Sequence, residues 1–83
     1  MQVEQIANNQ IVVITEDDKR LFSYETLIAV EDNFGNLYLG SKWDYSVTTL
    51  KYFKAAFNLQ GLTKKQIQQK LDNGDFFHLK DYK

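Results

Sequence analysis

The change from strand to helix that decides the fold lies in residues 37–57, which read LYLGSKWDYSVTTLKYFKAAF. The first three residues are predicted to form a strand, whereas from Tyr45 onward the apolar residues recur at helical spacing. They fall at Val47, Leu50, Phe53, Ala56 and Phe57, which predicts one buried stripe with Lys51, Lys54 and Asn58 on the other side. Ser46 is the expected N-cap, and Tyr45 is placed to form a hydrophobic staple with Leu50. The helix is predicted to end between Asn58 and Gly61.

A second, shorter helix follows in the sequence. Thr63 and Gln66 form the pattern of a capping box, in which each side chain bonds the backbone amide of the other residue. Ile67 and Leu71 are expected to face inward, and Asn73-Gly74 provides a left-handed exit from the helix. Residues 76–79, Phe-Phe-His-Leu, then predict a short strand at the edge of the sheet.

The first half of the chain is predicted to form strands. Asn8-Asn9 separates Val3–Ala7 from Ile11–Thr15, and asparagine tolerates the positive φ of a tight hairpin turn. The run Ile11–Ile14 is continuously apolar, as in a strand buried on both faces. Further strands are expected at residues 21–24, 26–30 and 37–39, with Gly35 supplying the left-handed residue of the turn at 32–36. The sequence therefore predicts an α+β fold: an antiparallel β-meander of about four strands, two helices packed on it and a short C-terminal strand, in a single domain over residues 1–83.

Composition excludes several classes of site. The 83 residues include no cysteine and one histidine, so neither a disulfide nor a zinc site of ordinary composition is expected. The amino terminus lacks the basic and apolar regions of a signal peptide, and no apolar run reaches the ~20 residues that cross a bilayer. We therefore expect a cytoplasmic protein with no membrane association and no cofactor. Charge is uneven: residues 1–44 hold eight acids and three bases, whereas residues 45–83 hold three acids and seven bases.

The sequence shows no catalytic constellation. The single histidine, His78, lies in a predicted strand and is expected to be a surface or packing residue. The serines have no histidine adjacent in the sequence to activate them. The carboxylates at residues 16–18 and 31–32 lie in predicted turns, where such residues are common. The sequence therefore does not predict an enzyme.

The strongest candidates for a binding surface are lysines on the two predicted helices. They are Lys51, Lys54, Lys64, Lys65 and Lys70, in a segment from Tyr45 to Leu71 that holds no acid. Lysines in the first turn of the second helix oppose the helix dipole, which favours an acidic partner, either protein or nucleic acid. The alternative is surface lysine kept for solubility. A pI of about 5.7 and the presence of a single arginine argue against nucleic acid.

Two further groups are candidates. Tyr24, Tyr38 and Tyr52 are expected to form a partly exposed cluster that anchors a protein partner, or else to be half-buried tyrosines with solvated hydroxyls. A candidate anion site comprises Ser46, Thr48 and Thr49, because hydroxyls and free amides meet there at a helix N-terminus. The alternative is that Ser46 only caps the helix.

Two segments carry a resemblance to known proteins. They read Ser23-Tyr24-Glu25-Thr26 followed by Ile28-Ala29, and Trp43-Asp44-Tyr45-Ser46-Val47-Thr48-Thr49 followed by Lys51-Tyr52. This SYxTxIA and WDYSxTTxKY pattern resembles a family of small uncharacterised proteins encoded by bacteriophages and mobile elements of Gram-positive bacteria. The resemblance extends from Leu21 to Tyr82. It implies such an origin and a bacterial cytoplasm, and it implies no mechanism.

These observations lead to three hypotheses. The first is a small non-enzymatic phage or mobile-element protein that binds and modulates a host protein, for instance as an inhibitor of a host defence or nucleic-acid enzyme. The second is an accessory nucleic-acid-binding protein that uses the lysine-bearing helices, with binding that weakens steeply as salt rises. The third is a self-assembling module, such as a homodimer, that pairs an exposed sheet edge at Val3–Ala7 or Phe76–Leu79.

Overall fold

The structure is a computed structural model that describes residues 1–82. Five strands come first, then two helices, a sixth strand and a short 3-10 helix. Their bounds are β1 (Gln2–Ala7), β2 (Gln10–Ile14), β3 (Asp18–Ser23), β4 (Thr26–Asp32), β5 (Leu37–Leu39), α1 (Val47–Ala56), α2 (Lys64–Asp72), β6 (Phe77–His78) and the 3-10 helix Leu79–Asp81. The prediction of an α+β fold with two helices is confirmed.

The sheet has six strands in the order β1-β2-β3-β4-β5-β6. Neighbours from β1 to β5 are antiparallel, whereas β6 runs parallel to β5. The predicted sheet of about four antiparallel strands is therefore wrong in strand number and in its last pairing. Both helices lie in the connection from β5 to β6, and such a long crossover lets the chain return in the same direction. β6 lies at the edge of the sheet.

One face of the sheet is covered by the helices. Val12, Leu21, Ala29 and Leu39 are successive cross-strand neighbours and all are buried on this face. Phe53 of α1 and Ile67 of α2 are completely buried in the same core cluster. Burying a side chain of this size stabilises the fold by about 1.5–3 kcal/mol. The helix-covered face therefore holds the main core.

The prediction that Ile11–Ile14 is buried on both faces is wrong. Val12 is buried, whereas Ile11 and Ile14 are exposed. Ile11 points away from the helices because side chains alternate between the faces of a strand, and Ile14 lies at the end of β2 beside the edge strand β1. The helices are too few to cover both faces of a six-stranded sheet.

The buried side of α1 differs from the predicted stripe. Phe53, Ala56 and Phe57 are buried as expected, but Val47 is 86 % exposed and Thr49 is buried instead. Residues two apart on a helix point in nearly opposite directions, so a helix that buries Thr49 must expose Val47. Tyr45, predicted to form a staple, is 69 % exposed.

The predicted start of α1 and both predicted ends of α2 are confirmed, whereas α1 ends at Ala56, before the predicted limit of Asn58 to Gly61. The Ser46 hydroxyl accepts a hydrogen bond from the Thr49 amide at 3.1 Å. Thr63 and Gln66 form both hydrogen bonds of the capping box. Gly74 follows α2 with a φ of 88°, the left-handed conformation that glycine adopts without strain.

The loop from β5 to α1 is held in place at two points. A Cβ on Gly40 would lie 3.0 Å from the Leu27 carbonyl oxygen and 3.3 Å from Leu79 Cδ2, so glycine is required for this close approach. Trp43 is buried, with its ring 6.0 Å from that of Phe53. These contacts fix the position from which Lys42 and Tyr45 reach the surface.

Candidate functional site

A pocket of about 230 Å³ lies between the β3–β4 turn and the start of α1. Five hydroxyl-bearing residues line it together with one isoleucine and one lysine: Ser23, Tyr24, Thr26, Tyr45, Thr49, Ile28 and Lys42. All except Lys42 belong to the two segments on which the resemblance rests. The fold thus brings the two segments together at one place on the surface, which we call the turn pocket.

The inner wall of the turn pocket is a short chain of hydroxyl groups. Ser23 and Thr49 are both buried, and their hydroxyl oxygens lie 3.2 Å apart in a hydrogen bond between sheet and helix. The Ser46 hydroxyl donates to the Thr49 hydroxyl, also at 3.2 Å. Ser46 and Thr49 of the candidate anion site are thus engaged in the helix cap and this wall, while Thr48 is exposed. Anion binding by these three residues stays a prediction.

The outer wall carries donors that are not used within the described residues. No side-chain hydrogen bond joins the hydroxyls of Tyr24, Thr26 or Tyr45 to another residue in the range 1–82. The Lys42 ammonium lies 5.1 Å from the centre of the Tyr45 ring and forms no salt bridge in that range. No histidine or carboxylate lines the pocket, so these hydroxyls have no neighbouring base there. The arrangement is suited to donating hydrogen bonds to an acceptor.

The β3–β4 turn that supports this outer wall is strained. Its two central residues, Tyr24 and Glu25, have φ angles of 51° and 70°. Such turns require positive φ at both positions and ordinarily use Asn-Gly or Asp-Gly, because a side chain with a bulky Cβ costs energy there. The Tyr24 amide donates to the Asn9 carbonyl at 2.9 Å, which helps to hold the turn. The turn places Tyr24 over the pocket with 54 % of the residue exposed.

Comparison with known protein families gives one match for this chain. The chain matches the sequence model of a family of unknown function, DUF8033, over residues 1–73. The chain belongs to the DUF8033 family. No curated protein and no solved structure matches it significantly. Both segments that line the turn pocket lie inside the region shared with DUF8033, whereas β6 and Tyr82 lie beyond it.

The lysines of this DUF8033 chain divide among several surroundings. Lys51 and Lys54 line a groove of about 280 Å³ together with Val47, Leu50 and Gln60, which we call the α1 groove. Lys64 pairs with Asp44 at 3.5 Å, beside the turn pocket. Lys65 lies along α2 in a depression shared with Gln68 and Asp72, and the Lys70 ammonium lies 5.8 Å from the Phe76 ring. Of the five candidate lysines, Lys51 and Lys54 share a groove with the exposed Val47 and the half-buried Leu50.

The three candidate tyrosines also have separate surroundings. Tyr24 lines the turn pocket. The Tyr38 ring lies 4.8 Å from that of Tyr82 and 5.3 Å from that of Phe77. Tyr52 lines a different depression, with the Lys51 ammonium 5.4 Å from its ring. The structure thus places one of the three at the turn pocket.

Sequence reasoning missed Thr26, Lys42 and Tyr45 as site residues. Two of them, Thr26 and Tyr45, lie inside the quoted segments, so the segments themselves held a signal. Lys42 lies outside these segments and could be found only from the structure. The burial of the adjacent Trp43 fixes the loop so that Lys42 lines the pocket.

Two searches of the described part of the chain gave negative results. No group of three or more histidine, cysteine, aspartate or glutamate side chains in residues 1–82 is arranged to hold a metal ion. Neither helix in that range has the length and apolar character required to cross a membrane.

Proposed function

We propose that this chain is a non-enzymatic protein-binding module, encoded by a bacteriophage or mobile element, that binds and modulates a host protein in the bacterial cytoplasm. Inhibition of a host defence or nucleic-acid enzyme is one form that this takes. The observation that carries the proposal is a row of exposed apolar side chains at the start of α1, flanked by lysines. Tyr45 and Val47 are 69 % and 86 % exposed and border the turn pocket and the α1 groove, respectively.

This surface has the composition of a protein interface. Interface centres favour tyrosine and other large side chains that lose little conformational entropy, surrounded by a polar rim. Tyr24 and Tyr45 provide the aromatic rings, Val47 and Leu50 provide aliphatic area, and lysines surround them. The burial of Thr49 turns position 47 toward solvent, where a polar residue would serve the fold equally well. A partner that covers Val47 accounts for an apolar residue at this position.

The charge of the surface favours an acidic partner. Neither α1 nor α2 has an acid in its first turn, where an acid would stabilise the helix by about 0.3–1 kcal/mol. Lys51 and Lys54 lie on the same side of α1 as Val47, at the spacing of successive helical turns. Charges at the rim of an interface chiefly increase the rate of association and exclude wrong partners. We therefore expect a partner with acidic residues around an apolar centre.

A pull-down from nuclease-treated lysate of a Gram-positive bacterium tests the proposal. Variants Val47→Asp and Lys51→Glu/Lys54→Glu should lose the captured protein, whereas Lys65→Glu/Lys80→Glu should retain it. Val47→Asp adds an acid to a helix N-terminus, so it should leave the fold intact. With the purified partner, Val47→Asp should lower affinity about tenfold or more.

Three outcomes would contradict the proposal. A folded chain that captures no protein would exclude a stable host partner in that lysate. Capture that disappears with nuclease, and that weakens steeply as salt rises, would indicate nucleic acid instead. A dimer whose assembly is abolished by a proline in the exposed strand β1 would indicate self-assembly.

A further inference from the structure

The turn pocket combines five hydroxyl-bearing residues, two of them tyrosines, with one lysine. The neighbouring depression that shares Thr26 and Lys42 has no aromatic ring other than that of His78. The rim of the turn pocket presents hydroxyls from Tyr24, Thr26 and Tyr45 and the ammonium of Lys42, and no carboxylate lines it. An ammonium and several hydroxyl donors around one space match an oxyanion, since hydrogen bonds to a charged acceptor are about twice as strong as those to a neutral one. The floor is Ile28, which is buried and suited to contact with methylene groups.

The size of the turn pocket limits what it holds. Pockets for drug-sized ligands and cofactors usually measure about 300–1,000 Å³. At about 230 Å³ and open to the surface, the turn pocket has room for a single side chain. The rings of Tyr24 and Tyr45 stand at its rim and would cover the aliphatic part of that side chain.

The strained turn is the second observation that points to binding. Tyr24 and Glu25 occupy left-handed positions in which asparagine and glycine would be more stable. Strain of this kind persists where the side chain is needed at that position. Here the turn places the Tyr24 side chain at the pocket.

We propose that the turn pocket binds the carboxylate of a glutamate or aspartate side chain on the partner protein. Lys42 supplies the opposite charge, Thr26 and the two tyrosines donate hydrogen bonds, and Ile28 contacts the methylene groups. This assignment rests on the proposed function, because it names the side chain by which an acidic partner is recognised. It also predicts that the partner's acidic residue lies beside the apolar area that covers Val47.

Two acids near the pocket allow a test of whether the pocket binds an anion or a cation. Asp44 is paired with Lys64, which reduces its repulsion of an anion. Glu25 is exposed in the turn and forms no salt bridge with a described residue. Removing the charge of Glu25 should therefore strengthen binding of an anion, whereas it would weaken binding of a cation.

The first experiment is an NMR titration with N-acetylglutamate N-methylamide, and the neutral glutamine analogue serves as the matched probe. The glutamate probe should shift the amides of residues 24–26 and 42–49 with a dissociation constant on the order of millimolar, as expected for so small a ligand. The glutamine probe should bind about fivefold more weakly or not at all. Equal binding of the two probes would overturn the assignment, and so would tighter binding of inorganic phosphate.

Single variants locate the interaction. Lys42→Gln should weaken the glutamate probe about fivefold and Thr26→Val about threefold, whereas Glu25→Gln should strengthen it about twofold. Lys65→Gln removes an equal charge from α2 and should have no effect. A loss of affinity that is the same for Lys65→Gln and Lys42→Gln would show general charge attraction and overturn the assignment.

The partner experiment separates this inference from the proposed function. Lys42→Gln and Thr26→Val should each reduce affinity for the captured protein, and mutation of one partner acid should remove their effect. If Lys51→Glu/Lys54→Glu abolishes capture while Lys42→Gln and Thr26→Val leave it unchanged, the inference fails and the proposed function stands. Saturable probe binding by a chain that captures no protein would overturn the proposed function, while the preference of the pocket for carboxylate would stand.

Discussion

The two ends of the β3–β4 hairpin are built in opposite ways. At the open end, Asp18 and Asp32 are directly opposite each other, and hydrogen bonds surround both carboxylates. At the turn end, Tyr24 and Glu25 have strained backbone conformations, and donors around them have no partner within residues 1–82. The open end consists of satisfied polar groups, and the turn end does not.

The hydrogen bonds at the open end explain how two carboxylates tolerate each other. Asp18 accepts from Arg20 at 2.9 and 3.0 Å, from Tyr82 at 2.6 Å and from the Thr15 hydroxyl at 3.0 Å. Asp32 accepts from the Phe34 and Asn36 amides, both at 2.9 Å. Like charges directly opposite in a sheet are otherwise destabilising. Selection for stability is visible at this end, so its absence at the turn end indicates a requirement other than stability.

The largest expected effect comes from breaking the open end. Asp18→Ala should lower the free energy of unfolding by about 3 kcal/mol, because it leaves Arg20, Tyr82 and Thr15 without their shared acceptor. Urea denaturation at neutral pH measures this change. Asp17→Ala is the matched control, since the Asp17 side chain is exposed, and it should change stability by less than about 0.5 kcal/mol. Equal effects of the two substitutions would show that the network contributes nothing.

The second prediction concerns the turn end and has the opposite sign. Tyr24→Asn/Glu25→Gly should stabilise the fold by about 2 kcal/mol, because both new residues adopt positive φ more readily. The same protein should lose affinity for its partner, since the tyrosine at the pocket is gone. Denaturation and partner binding are measured on the same sample. A variant that is less stable than the parent would show that the turn is not strained.

The third prediction concerns the β4–β5 turn, where a glycine already occupies the left-handed position. Gly35, in the turn between β4 and β5, has a φ of 83° and has open space around the position of a Cβ. Gly35→Ala should therefore cost about 1–2 kcal/mol through backbone conformation alone. It should leave partner binding unchanged, because the turn lies at the opposite end of β4 from the turn pocket. Thermal unfolding and the binding assay check these two outcomes.

The fourth prediction is smaller and concerns a single hydrogen bond. Tyr82→Phe removes the donor to Asp18 and should cost about 1 kcal/mol. Tyr38→Phe removes a longer contact to Asp32, at 3.4 Å, and should cost less than about 0.5 kcal/mol. The denaturant concentrations at the midpoints of unfolding show which of the two substitutions costs more stability. A larger loss for Tyr38→Phe would contradict the hydrogen-bond assignment at the open end.

The smallest expected effect is the dependence of the free energy of unfolding on pH. Hydrogen bonds from Arg20 lower the pKa of Asp18 despite the opposing effect of burial, with further contributions from Tyr82 and Thr15. Partial desolvation raises the pKa of Asp32, but hydrogen bonds from Asn36, Phe34 and Tyr38 outweigh it, so this pKa is also lowered. Both carboxylates therefore stabilise the fold above the ordinary aspartate pKa of about 3.9, and this stabilisation is lost as pH falls through their lower folded values. As pH is lowered from about 5, the free energy of unfolding should therefore fall less steeply for Asp18→Ala than for the parent protein.

The features that sequence reasoning predicted correctly are local. The Ser46 cap, the Thr63–Gln66 capping box, the left-handed Gly74 and the hairpin at Asn8-Asn9 all appear in the structure. Each depends on hydrogen bonds or dihedral angles within a few residues, so the signal is contained in the sequence that forms it. The presence of two helices and of strands before them followed from hydrophobic spacing in the same way.

The candidate site was predicted only in part. Tyr24, Ser46 and Thr49 were named as site residues, and Tyr24 and Thr49 line the turn pocket while Ser46 bonds its inner wall. They were assigned to two unrelated groups, a tyrosine cluster and an anion site. A pocket depends on which segments meet in space, and residues 23–28 and 42–49 are joined only when α1 packs on β3. The strain at Tyr24 was also invisible, because a tyrosine and a glutamate give no signal for a left-handed turn.

The sequence by itself determined the order of helices and strands, the caps at which both helices begin, and that the chain has few groups for metal or acid–base chemistry. The tertiary structure alone decided the parallel pairing of β6, the exposure of Val47 and Ile11, and the meeting of Lys42 with the hydroxyls of the turn pocket. The physical reason is that caps and turns are satisfied within a few residues. The covering of a face or the closing of a pocket depends on elements far apart in the chain, and it is fixed only when those elements compete for the same buried surface.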